Sequence, residues 1–157
     1  MNRPVRVVFV CWGNICRSPM AERVAEGWAR REGLDDVEFS SAATSAEELG
    51  APIDRRAARV LSGAGYRTSG HRARRITARE IAEADLVIGM EELHLQKMRR
   101  LAPDAGNLSL LTSFDPQARP GSGVPDPWYG DADGFHETLA IIEAAMPGVL
   151  AAVRATR

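Results

Sequence analysis

Strand-like and helix-like periods alternate along this chain, and that alternation limits the possible fold more than any other feature. Residues 4–10 form a compact apolar, β-branched run suited to a buried strand, and after Pro19 the pattern changes to a helical period. Met20, Val24 and Trp28 recur at i, i+4 and i+8, with Ala21 and Ala25 beside them, and Gly33 ends that helix. Further strands are expected at 37–42, 86–90 and 108–111. Helices are expected at 54–64, where Ala57, Val60, Leu61 and Ala64 share a face, and at 91–101. Thr77-Ala78-Arg79-Glu80 has the form of a capping box that opens another helix. A last helix should run from 133 to about 153, with Pro147 kinking or breaking it.

Parallel strands separated by helices are joined by right-handed crossovers. The expected fold is therefore α/β with three layers, a four-stranded parallel sheet with helices on both faces. At 157 residues the chain fits one domain, 1–157, able to bury roughly 68–70% of its unfolded surface. Ligands in such sheets bind beyond the carboxyl ends of the strands, where a loop enters a helix N-terminus. The chemistry is expected just after Val10, in the loop between the first strand and the first helix.

Composition narrows the partners. With 20 basic and 21 acidic residues the formal charge is −1, so nucleic acid and anionic membranes are not expected to bind through net charge. The apolar run read as the longest membrane candidate, Val7-Val8-Phe9-Val10-Cys11-Trp12, is far shorter than the roughly 20 residues a spanning helix needs. No cleavage pattern of a signal peptide follows it, which makes a reducing cytoplasm the expected compartment. Cys11 and Cys16 are the two cysteines, and their position in one short loop points to a reactive thiol rather than a disulfide framework.

That loop reads Cys11-Trp12-Gly13-Asn14-Ile15-Cys16-Arg17-Ser18, followed by Pro19. Ser18 suits an N-cap and Pro19 the first helical position, so the helix should open with its free N–H groups and positive dipole end toward the loop. Gly13 and Asn14 tolerate positive φ, which lets successive N–H groups turn inward as an anion nest that could serve as a phosphate-binding loop. Arg17 can grip two oxygens of a phosphate, and a sulfur at Cys11, facing the same donors, is favoured as thiolate. Two nearby cysteines could instead be small buried hydrophobes. A metal site is not expected, because His71, His94 and His136 have no ligand-like spacing to them, and the loop lacks the glycine pattern of dinucleotide or Walker loops, so no cofactor is expected either.

The stretch Val10-Cys11-x-Gly13-Asn14-Ile15-Cys16-Arg17-Ser18-Pro19 resembles the signature of the low-molecular-weight protein tyrosine phosphatases. The resemblance covers the whole chain: Ser41-Ala42-Ala43-Thr44-Ser45, His71-x-Ala73-Arg74, Ser113-Phe114-Asp115-Pro116 and Asp126-Pro127-x-Tyr129-Gly130-Asp131 stand in the family's order. It implies metal-independent hydrolysis of a phosphotyrosine protein or a small aryl phosphate through a phosphocysteine, with Cys11 as nucleophile and Arg17 on the phosphate. Local sequence leaves two proton donors open, Asp115 and Asp126, since an Asp before proline can merely initiate a turn. The resemblance assigns Asp126.

The same resemblance implies substrate contacts from Trp12, Gly13, Asn14, Ile15, Cys16 and Ser18, and from Trp128 and Tyr129 on the acid-bearing loop, the aromatics walling a slot for a flat leaving group. It implies that Asn14, Ser41 and His71 support the loop, that Ser18 assists the departing thiolate, and that Cys16 can close a reversible disulfide with Cys11. Each has a plainer local reading, as a helix cap, a solvated histidine or a space-filling thiol. Relatives often carry an aromatic where this chain has Glu47-Glu48, which implies an acidic entrance with one wall missing, and they carry Asp where Glu91 stands. Rival activities on this fold are arsenate reduction, which needs further cysteines that are not found after Cys16, and protein arginine phosphatase activity, whose members tend to have Thr in place of Ile15. A non-catalytic phosphate-binding module would need neither thiolate nor acid.

Overall fold

The computed structural model describes residues 3–156. Strand β1 (Val5–Cys11) lies between β2 (Val37–Ala43) and β3 (Leu86–Gly89), and β4 (Leu108–Leu110) extends the sheet beside β3, every pair parallel. The period of two along β1 divides the interior. Val7, Phe9 and Cys11 face a cluster with Met20 and Val24 of α1 (Arg17–Arg31), Leu61 of α2 (Arg55–Gly63) and Ile142 and Met146 of α5 (Ala132–Thr156). Val8 and Val10 face the other side, onto Ile81 of α3 (Ala78–Glu83) and Leu95 and Met98 of α4 (Glu92–Leu101). This is the expected three-layer α/β arrangement, and each fully buried side chain of this size contributes about 1.5–3 kcal/mol. Because β1 has β2 on one side and β3 on the other, its carboxyl end is where the chain's crossovers diverge and a crevice opens.

Several local expectations are corrected. Helix α1 begins at Arg17 with Cys16 as its cap, so Ser18 is not the N-cap and Pro19 is not the first helical residue. The first i→i−4 bond runs from the Met20 N–H to the Cys16 carbonyl at 3.0 Å, and Pro19 falls among the opening residues whose N–H groups have no intrahelical partner anyway. The capping box at Thr77 is half formed. The Thr77 hydroxyl accepts from the Glu80 N–H at 3.1 Å, but the Glu80 carboxylate turns to Arg74 at 2.5 Å.

Helix α5 runs through Pro147 unbroken. Ile142, Ala145 and Met146 before the proline and Val149 and Leu150 after it are all fully buried, and this packing outweighs the roughly 3 kcal/mol penalty of an interior proline. Gly148 allows the close approach: a Cβ there would stand 2.1 Å from the Phe114 carbonyl oxygen. The reading of residues 7–12 as the longest apolar candidate also fails, since α5 is long and apolar enough to cross a membrane by length and composition. In the fold its apolar face from Phe135 to Val153 is part of the core, which is where a helix of that composition finds its burial.

Candidate active site

Cys11 ends β1, and its thiol is buried at the floor of a cavity of about 150 Å³ lined by Trp12, Gly13, Ile15, Cys16, Arg17, Glu47, Glu48, Asp126, Trp128 and Tyr129. A void of that size accommodates about one aromatic ring. The Ser18 N–H points at Cys11 Sγ from 3.4 Å and the Ser18 hydroxyl lies 3.0 Å from it, so the serine expected as a helix cap spends its oxygen on the sulfur instead.

The loop is held from behind by Asn14. Its φ of 60° is the only positive value at a non-glycine among the described residues, whereas Gly13 does not adopt a left-handed φ as expected. Gly13 is tight for another reason, because a Cβ there would meet Glu48 Cγ at 3.3 Å. Asn14 Nδ2 donates to the hydroxyls of Ser18 at 2.8 Å and Ser41 at 2.9 Å, and its Oδ1 accepts the Arg74 N–H at 3.1 Å. His71 Nε2 meets the Asn14 carbonyl at 2.6 Å, so His71 is not a solvated surface residue. Burial lowers its pKa. The Ser41 hydroxyl passes its proton side to the half-buried network at Glu22, 2.6 Å away, whose own pKa is raised by burial.

Arg17, almost fully buried, projects from the first turn of α1. Its Nη1 donates to Glu91 Oε1 at 2.5 Å and to the Val124 carbonyl at 2.8 Å, while Nη2 stands 3.5 Å from Asp126 Oδ2. The Val124 N–H in turn donates to the Met90 carbonyl at 2.8 Å, which ties the late loop to the end of β3. Gly123 permits this, because a Cβ would lie 2.9 Å from Glu91 Cγ. Asp126 is thus brought to the cavity, its Oδ1 accepting the Trp128 N–H at 3.0 Å. Asp115 does what a turn residue does, accepting the Gln117 N–H at 2.9 Å outside the cavity.

Cys16 is free and buried, and desolvation, then the Asp54 carboxylate, push its thiol pKa far up. Glu47 and Glu48 both line the cavity, and Trp12 stands beside them with its indole N–H donated to Glu47 Oε2 at 3.0 Å. Sequence reasoning missed Arg56. Its guanidinium lies over the rings of Trp128 and Phe135 at 5.1 and 4.6 Å and donates to the Trp128 carbonyl at 3.1 Å, pinning the acid-bearing loop to α2. It also missed Lys97, 4.3 Å from the centre of the Trp12 ring. Neither pairing has a local sequence signal.

A thiol, an arginine and a carboxylate converging on one small cavity at a strand-to-helix loop define a cysteine-based, phosphate-handling α/β protein. The family model described as low molecular weight phosphotyrosine protein phosphatase matches residues 6–157, and the chain belongs to that family. It is 46% identical over 154 residues to the low molecular weight protein-tyrosine-phosphatase of Streptomyces coelicolor, covering 95% of this chain and 93% of that one. It is 42% identical over 151 residues to low molecular weight protein-tyrosine phosphatase A of Mycobacterium tuberculosis, covering 95% and 91%. The crystal structure of a protein tyrosine phosphatase from Entamoeba histolytica with Hepes in the active site superposes with a TM-score of 0.90 at 26% identity, covering 97% of this chain and 98% of that one.

Proposed function

We propose that this protein hydrolyses phosphotyrosine, in proteins or as small aryl phosphates, through a phosphocysteine. Cys11 Sγ attacks phosphorus in line, forming the S–P bond as the bond to the phenolic oxygen breaks. Asp126 delivers a proton to that oxygen, which matters because a tyrosine leaving group has a pKa of about 10. Water then attacks phosphorus, Asp126 takes its proton, and the S–P bond breaks to release phosphate and the thiolate, which Ser18 stabilises through its hydroxyl and N–H. Arg17 and the loop N–H groups hold the charge on the transferring oxygens. The reaction needs a reduced Cys11, which fits a cytoplasmic setting.

The observation that carries this reading is the meeting of Cys11, Arg17 and Asp126 around one ring-sized cavity. Ile15, lining that cavity, fits an aryl leaving group better than a guanidinium. The test is steady-state hydrolysis of phosphotyrosine, phosphoarginine and phosphoserine peptides by the wild type and Cys11→Ser. Phosphotyrosine turnover should dominate and vanish in Cys11→Ser, while that variant still binds phosphate. Turnover by Cys11→Ser at a tenth of wild type, or a preference for phosphoarginine, would overturn the assignment.

A further inference from the structure

Trp12 is held on more sides than a pocket-lining side chain needs to be. Its backbone carbonyl accepts two bonds, from the Ser45 N–H at 3.1 Å and the Ser45 hydroxyl at 2.9 Å, and the neighbouring Cys11 carbonyl accepts the Thr44 N–H at 2.9 Å. Its indole N–H is taken by Glu47 Oε2 at 3.0 Å, and the Lys97 ammonium sits 4.3 Å from the ring centre. Glu47 belongs to the loop after β2 and Lys97 to the second turn of α4, so two separate segments converge on the indole carried by the loop after β1. Trp12 and Glu47 line the cavity and Lys97 does not, which leaves the ring available to a ligand while the cation supports it from outside. Lys97 is also the chain's sole lysine among 20 basic residues.

We propose that Glu47 and Lys97 are positioning residues that hold the Trp12 indole ready to stack on the aromatic ring of the leaving group. The proposal rests on the phosphatase reading and deepens it: the clamp selects aryl over alkyl and inorganic phosphate. An unrestrained indole would lose side-chain freedom when a ligand ring stacked on it, and that loss weakens binding. Here the ordering precedes the ligand. The hydrogen bond fixes the ring's rotation, and the cation over the π face fixes its tilt. The phosphate head, by contrast, is held by Arg17 and the loop N–H groups, which the clamp does not touch.

The two halves of the ligand therefore respond to different residues, and a pair of ligands separates them. Calorimetric Kd values for inorganic phosphate and phenylphosphonate, both anions met by the same loop, are measured on wild type, Trp12→Ala, Glu47→Ala, Lys97→Met and the Glu47→Ala/Lys97→Met double variant. Loss of the indole or of its clamp should weaken phenylphosphonate about threefold to tenfold relative to phosphate, the range of a single aromatic stack. Any general change in field at the mouth acts on both ligands and cancels in the ratio. Glu47→Gln, which keeps an acceptor for the indole N–H, and Lys97→Arg, which keeps a cation over the ring, should restore the ratio. An unchanged ratio in Trp12→Ala or in the double variant would overturn the proposal, as would failure of both conservative variants to restore it. Turnover of phenyl phosphate by wild type is measured separately: its absence would sink the phosphatase reading while the binding ratio still decides the clamp.

Discussion

Glu91 holds Arg17 by one end of its guanidinium: Oε1 lies 2.5 Å from Nη1, whose second proton goes to the Val124 carbonyl at 2.8 Å. With both Nη1 protons committed, Nε and Nη2, the latter 3.5 Å from Asp126 Oδ2, are the donors that remain to meet two phosphate oxygens side-on. Glu91→Ala should lower kcat/KM by about tenfold, a modest loss because the carboxylate is partly exposed and the pair is screened. Glu91→Gln, which still accepts one proton, should lose less. Arg17→Lys should be severely impaired, since an ammonium offers no planar fork. Steady-state kinetics on an aryl phosphate checks all three, and an unimpaired Glu91→Ala would show that Val124 alone orients the guanidinium.

Asp126 and Asp115 occupy different worlds in the structure, one beside Arg17 at the cavity and one closing a turn. Asp126→Asn should slow hydrolysis by about 10²–10⁴-fold for a poor leaving group, with the deficit shrinking as the leaving phenol becomes more acidic. Asp115→Asn should show no such leaving-group dependence. A series of substituted phenyl phosphates gives the two slopes, and a steep one for Asp115→Asn would reverse the assignment.

What the sequence made legible was local. The strand at 4–10, the loop after it and the helix behind it are contiguous, so their periods and residue types expose both the fold and the anion site. Ser18 is not decided by sequence because a hydroxyl in the first turn of a helix suits a cap or a sulfur equally, and the neighbours that decide, Asn14 and Cys11, act through tertiary geometry. Pro147 was misjudged because propensity is local while the burial of Met146 and Val149 is not. Glu91 on Arg17, Arg56 on Trp128 and Lys97 on Trp12 join residues from separate elements, and no periodicity within either partner announces them. The choice of Asp126 over Asp115 came from resemblance alone.

Asn14 couples backbone and side chain in one residue, so two substitutions separate its contributions. Asn14→Ala loses both the tolerance of its φ of 60° and the bonds to Ser18, Ser41 and the Arg74 N–H. The left-handed conformation alone costs about 1–2 kcal/mol, and each lost hydrogen bond about 0.5–1.5 kcal/mol. Asn14→Gly restores the conformation but not the bonds. Denaturant unfolding should rank stability as wild type, then Asn14→Gly, then Asn14→Ala, with phosphate affinity in the same order. Equal loss in both variants would mean that the conformation carries no strain and the side-chain bonds are the whole effect.

His94 should make folding sensitive to mild acid. It is fully buried on α4, with Nδ1 accepting the Glu91 N–H at 3.0 Å and Nε2 without a partner among the described residues, an arrangement that suits only the neutral ring. Burial first, then the nearby Arg17 charge, depress its pKa from 6.5 to about 4, although Asp126 works in the opposite direction. A depressed histidine pKa means that the unfolded chain takes up the proton first. Its contribution is complete above pH 6.5 and is lost as the pH falls from there toward about 4, by on the order of 1–3 kcal/mol in total. His71, also depressed by burial, adds a slope of the same sign, while the raised pKa of Glu22 opposes it, so the informative quantity is a difference between variants. His94→Gln keeps an acceptor at the third helical position for the Glu91 N–H and removes the titrating ring. Urea unfolding of wild type and His94→Gln between pH 4 and pH 7.5 should give parallel stabilities above pH 6.5 and a flatter acid limb for the variant. Superimposable acid limbs would show that protonation of His94 is not what weakens the fold.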